Sequence, residues 1–239
     1  MKNQFFISLN WDDRKLNLTE VSEYLAAFLI WISRYDSHFL KMTMLMKEKE
    51  DVVLDTVDLD KNGTLIKFIQ QHIYKNKEAE LREIGKVHLL NSKFEEEVGF
   101  TTTFYSEGDN LEQFVFKVTT GAYNFPGNGV FIDFPNSFFS TYDWYYEFFK
   151  NLVDFFEPEW GAVLLKSMIK ENLPFRPPGL VTYYSNSIKI PELPSYVNVE
   201  FIENGGKYLT LTHENILRDK ATYQKYRHLL MDLVTLFRS

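Results

Sequence analysis

Along this chain, apolar and polar positions alternate, recur or run together in patterns that mark the elements one by one. Residues 141–156 place Tyr142, Tyr145, Tyr146, Phe149, Leu152, Val153 and Phe156 at helical spacing, with Asp143, Glu147, Lys150 and Asp154 opposite. That spacing predicts an amphipathic helix. Pro158 cannot continue a helix and restrains Glu157 before it, so the helix is expected to stop there. Residues 130–134 before it and 160–165 after it read as strands. Trp144, Phe148 and Phe155 sit off the main stripe; they widen the core contact or, if exposed, anchor a partner.

The same outline occurs nearer the start. Residues 5–11 read as a strand, and Thr19 with Glu20 and Ser22 opens a helix in a capping arrangement. Its apolar face is Val21, Tyr24, Leu25, Phe28, Trp31, Ile32 and Tyr35, and adding 121 to each number gives the seven positions of the later helix. A strand is expected at 40–46, as at 162–167. The pattern predicts a single domain, 1–239, built from two half-repeats of β-α-β outline, about 1–120 and 121–239. Shared helical periodicity alone is the competing explanation.

Between these segments, 52–57 reads as a strand and 64–74 as a helix, and the charged stretch 75–86 reads as a solvated helix face or loop. Residues 100–105 and 114–119 alternate at period two and predict a hairpin with an acidic tip. Strands are expected at 180–185, 198–202 and 207–212, the last two joined at Glu203-Asn204-Gly205-Gly206, where glycine supplies positive φ. A last helix, 219–237, is expected to bury Tyr223, Tyr226, Leu230, Leu233 and Phe237. The class is therefore α+β, a mostly antiparallel sheet with helices packed on it.

Composition narrows function. With 22 Phe and 14 Tyr among 239 residues, the chain can build a thick core. Lys plus Arg number 26 against 33 acids, a net charge of −7. That surplus disfavours direct nucleic-acid binding and favours a basic protein partner. The chain has no cysteine, which removes disulfides, thiolate nucleophiles and Cys-ligated zinc and fits a reducing compartment. Neither a secretion signal nor an apolar run of about 18 residues is present. The expectation is a soluble cytoplasmic protein with no membrane partner.

Catalytic and cofactor motifs are weak. Asp58, Asp60, Asn62 and Gly63 copy the first half of a calcium loop, but the twelfth position, which needs a bidentate carboxylate, is Ile69. An ordinary turn before a helix explains the motif better. The histidines His38, His72, His88, His213 and His228 show no metal-ligand spacing. No serine elbow or Gly-rich phosphate loop appears. The expectation is no cofactor, no metal and no catalytic residue. A carboxylate-dependent hydrolase is the first alternative, with a structural component of a secretion system as the second.

Several features together resemble the immunity protein 52 family of bacterial polymorphic-toxin systems. They are the strand ending in Trp11-Asp12-Asp13-Arg14, the helix with Tyr24-Leu25 and Phe28-Leu29, and the link Tyr35-Asp36-Ser37-His38-Phe39. In the second half they are Gly179-Leu180-Val181-Thr182-Tyr183-Tyr184-Ser185, Leu193-Pro194, and 197–212 with its Gly205-Gly206 turn. The resemblance implies a cytoplasmic antidote that binds a cognate toxin effector. Such toxins are often nucleases delivered by type VI secretion, and the antidote blocks them by steric occlusion. It supplies no binding residues to transfer. The candidate contact residues, chosen as acids beside an aromatic and at the hairpin tip, are Trp11, Asp12, Asp13, Glu107, Asp109 and Glu112. A solvated loop is the competing reading for each, and a homo-oligomer stays open.

Overall fold

The computed structural model describes residues 5–12, 14, 16–47, 50–55, 64–83, 85, 99–107, 113–121, 128–135, 137–138, 141–171, 173–212, 214, 216 and 219–238, Tyr142 by its backbone alone. In chain order the elements are β1 (Phe5–Asn10), α1 (Leu18–Tyr35), β2 (Lys41–Met44), β3 (Val52–Asp55), α2 (Leu65–Glu83), β4 (Phe100–Ser106) and β5 (Val115–Thr120). They continue with β6 (Gly129–Asp133), α3 (Tyr142–Phe156), β7 (Trp160–Leu165), β8 (Val181–Tyr184), β9 (Asn198–Phe201), β10 (Lys207–Thr210) and α4 (Lys220–Leu236). Short 3-10 turns cover Ser37–Phe39 and Lys166–Lys170. The class is α+β, as the pattern predicts. The chain forms two compact units, Asp12–Val130 and the combined segments Met1–Trp11 and Phe131–Ser239. The expected half-repeats cut the chain elsewhere and place the first strand in the first half.

In the unit Asp12–Val130 the strand order is β3-β2-β4-β5, and each of these pairings is antiparallel. The predicted hairpin forms, with Phe100 opposite Thr120 and Tyr105 opposite Val115. Helix α1 starts earlier than expected. Asn17 is its N-cap: its side chain accepts from the Glu20 amide, and the Glu20 carboxylate accepts from the Asn17 amide. This reciprocal pair satisfies two amides that a helix start leaves open. Thr19 has a different task, accepting from Gln70 of α2 at 3.0 Å. Phe28 meets Phe116 edge to face across a 5.8 Å centroid distance, fixing α1 on the sheet. Helix α2 runs on through the charged stretch to Glu83, because Ala79 and Leu81 are buried and Lys77 pairs with Glu80.

In the other unit the strand order is β6-β1-β7-β8-β10-β9. Strand β1 runs antiparallel to β7, Phe5 opposite Leu165 and Asn10 opposite Trp160. All six residues of β7 are buried, because helices cover both faces of this sheet. Tyr183 and Tyr184, neighbours on β8, point to opposite faces. Tyr183 meets Tyr208, which meets Phe149 of α3, while Tyr184 stacks on Phe237 just past α4. Gly161 permits the β1–β7 approach, since a Cβ there would lie 2.2 Å from Leu9 Cδ2. Phe148 is buried and Trp144 stacks on it at 4.8 Å, so these off-stripe aromatics widen the core contact.

Candidate binding cleft

Helix α3 ends as Pro158 requires, but in an unusual conformation. Glu157 adopts φ 45° and ψ 56°, the left-handed region, while its amide donates to the Val153 carbonyl at 2.8 Å. A side chain there normally costs roughly 1–2 kcal/mol, which is why glycine is the usual occupant. Pro158 is buried and the Glu159 amide donates to the Asn10 carbonyl, so the chain is aligned for β7 as soon as the helix stops.

The opposite wall comes from two turns. The Ser185 amide donates to the Glu159 carbonyl at 2.8 Å, and the Ser185 and Ser187 hydroxyls meet at 2.7 Å. The Asn186 amide group reaches the Asn204 carbonyl, and the Asn204 side chain accepts from the Gly206 amide. Gly205 takes φ 82° in this turn, and Gly206 lies against Tyr183, where a Cβ would sit 2.8 Å from the hydroxyl.

Between the walls lies an open cleft of about 620 Å³, lined by Val153, Asp154, Glu157, Pro158, Glu159 and Tyr183, and by Ser185, Asn186, Ser187, Ile202 and Asn204. Asp154 and Glu157 are exposed at its mouth. Burial pushes the Tyr183 phenol above its ordinary range, the charges of Asp154 and Glu157 push the same way, and a bond with Asn204 opposes them. Glu159 pairs with Arg176, whose guanidinium stands 5.2 Å over the Phe175 ring. The exposed rings of Phe175 and Phe201, 66% and 74% exposed, are not among the residues that line the cleft. Carboxylates, hydroxyls and amide oxygens in one concavity suit a cationic group. None of the described histidines, His38, His72 and His228, lines it. Among the described residues no group of three or more His, Asp or Glu could hold a metal ion.

The residues singled out from the sequence have other surroundings. Trp11 is only 2% exposed and stacks on Phe156 at 5.3 Å and 13°, inside the core. Asp12 is exposed, and its carbonyl accepts from Asn128 at 3.4 Å. Glu107 is exposed and lies 3.7 Å from Lys41. Asp13, Asp109 and Glu112 lie outside the described residues, as do Asp58, Asp60, Asn62 and Gly63 of the calcium-like loop. Ile69, at that loop's twelfth position, is fully buried in α2. No described helix is long and apolar enough to cross a membrane. The sequence pattern does not mark this cleft: Asp154 reads only as part of the polar side of its helix, and Glu157 only as the residue before Pro158.

No protein-family description matches the chain. No curated protein matches it either. Among solved structures it is similar to the Pseudomonas aeruginosa T6SS protein PA0821, at a TM-score of 0.43 and 10% identity, over 96% of this chain and 76% of that one.

Proposed function

We propose that this protein is an immunity protein: a non-enzymatic cytoplasmic inhibitor that binds a cognate secreted antibacterial toxin and neutralises it by steric occlusion. The toxin is a basic, nuclease-type effector of a type VI secretion system. The observation that carries this reading is the open cleft that sets the exposed carboxylates of Asp154 and Glu157 beside the apolar lining of Val153, Pro158 and Ile202. An acidic concavity with apolar lining is what a basic protein surface can both fill and be steered toward. The net charge of −7 adds a long-range attraction of the same sign. Sequence features such as Trp11-Asp12-Asp13-Arg14 and the Gly205-Gly206 turn support it through the resemblance they carry. Co-expression with the toxin encoded beside this gene tests it. Cell survival with a co-purifying 1:1 or higher complex is expected; continued killing with no complex overturns it.

A second reading, a carboxylate-dependent hydrolase, is favoured by one observation, the presence of Asp154, Glu157 and Glu159 in a single cleft. Two positioned carboxylates can act as acid and base or nucleophile. Hydrolysis of a chromogenic glycoside panel that E157Q abolishes would support it over the inhibitor.

A further inference from the structure

We propose that the cleft at the end of α3 is the receptor for an arginine side chain of the partner protein, the guanidinium seated between Asp154, Glu157 and the turn at Asn204. This rests on the inhibitor reading and names the surface it uses. The first support is the concavity itself: about 620 Å³, with hydrogen-bond acceptors from three separate segments. A guanidinium carries five donors in a rigid plane and matches carboxylates in pairs, so it uses such a lining more fully than an ammonium does.

The second support is the helix end. The C-terminus of α3 carries the negative pole of its dipole, where basic residues are the stabilising choice. The last turn instead holds Asp154 and no basic residue. Glu157 follows in the left-handed conformation that favours glycine. Two local preferences are thus broken side by side, and both departures make the cleft more negative. Such departures concentrate where a ligand compensates them. The third support is apolar. Val153, Pro158 and Ile202 line the same cleft, giving contacts for the methylene stem of an arginine side chain.

The test uses the full chain and three short peptides, acetyl-Gly-X-Gly-amide, with X arginine, its neutral isostere citrulline, or lysine. Amide shifts of Asn186, Asn204, Gly205 and Gly206 are followed by NMR. The arginine peptide is expected to shift them saturably and the citrulline peptide not to. D154N/E157Q, checked for an unchanged Tm and near-UV spectrum, should weaken arginine binding about tenfold or more. Equal response to citrulline, no saturable shift, or a preference for lysine overturns the proposal. Failure here is separable from failure of the inhibitor reading. If wild type protects cells and D154N/E157Q protects equally with unchanged toxin affinity, the receptor falls and the inhibitor stands. If the arginine peptide binds but no toxin is neutralised, the inhibitor falls and the receptor stands.

Discussion

Helices α1 and α3 share a seven-position apolar pattern 121 residues apart, yet they do not bury the same face. Phe28 and Phe149, and Ile32 and Val153, are buried at equivalent positions in both. Elsewhere the pairs diverge. Leu25 is buried where Tyr146 is half-exposed, while Tyr24, Trp31 and Tyr35 are half-exposed where Tyr145, Leu152 and Phe156 are buried. The buried arc of α3 is turned by roughly a third of a turn relative to that of α1. The cause is the number of neighbours. α1 packs on both its sheet and α2, so Ser22, Ala26, Leu29 and Ser33 are covered as well. α3 packs on β1 and β7, and its aromatics Trp144 and Phe148 reach Phe134 instead. Apolar spacing fixes that a helix has an inner side; the neighbouring element decides where that side is centred.

The largest effects test what the two helices share. F28A and F149A should each destabilise their unit by about 3–5 kcal/mol in urea unfolding, since both rings are fully buried. The next pair tests the rotation. L152A should cost about 2–5 kcal/mol and W31A, at the equivalent position, roughly 1 kcal/mol. Equal losses would break the comparison.

The helix ends differ too, and smaller effects follow. E157G should raise stability by up to about 1 kcal/mol by removing a side chain from a left-handed residue. D36A, at the end of α1, should lower it by about 1 kcal/mol. Asp36 is extended, at φ −149°, and its carboxylate accepts from the His38 amide at 3.0 Å. The smallest effect is spectroscopic. Burial first, then the bond to Glu200, raises the Tyr146 phenol from 10.0 to about 12. Its folded form keeps the proton above the pH where the unfolded form loses it. The stability it lends is therefore complete below pH 10.0 and fades as pH rises through about 12. A phenolate absorbance titration of Y146F should lose one tyrosine's amplitude near pH 12, while the buried Tyr184 and Tyr208 still titrate later.

Much of this fold was legible because periodicity and turn chemistry agreed. The stops at Pro158 and Gly205, the β4–β5 hairpin and the burial of Tyr223, Tyr226, Leu230 and Leu233 on α4 followed from residue type and spacing, whereas Phe237 is half-exposed just past the helix. The second half of α2 was not legible, because its buried row from Ile73 to Leu81 passes through Lys77 and is flanked by Lys75, Glu78, Arg82 and Glu83. The rotation of α3 could not be read from its own residues, since it depends on Phe134. Trp11 could have been placed inside from strand parity, as it continues the buried Ile7 and Leu9. The acids after it pointed the other way. The cleft was not legible because 154–159 read as the end of a helix, 183–187 as the end of a strand and 202–204 as part of a hairpin, and only folding brings them together.

Strand β1 sits between β6 and β7, and its partner in register, from Trp160 to Leu165, is about 150 residues further along. A ribosome adding roughly 5–20 residues per second therefore needs about 8–30 seconds to deliver that partner. For all that time Phe5, Phe6, Ile7 and Leu9 have left the tunnel without the neighbour that will cover them. The segment 12–130 meanwhile emerges whole and can collapse first. Nascent chains of this protein should thus depend on holding chaperones at β1, and a circular permutant that begins between β6 and α3, so that β1 follows β7, should shed that dependence.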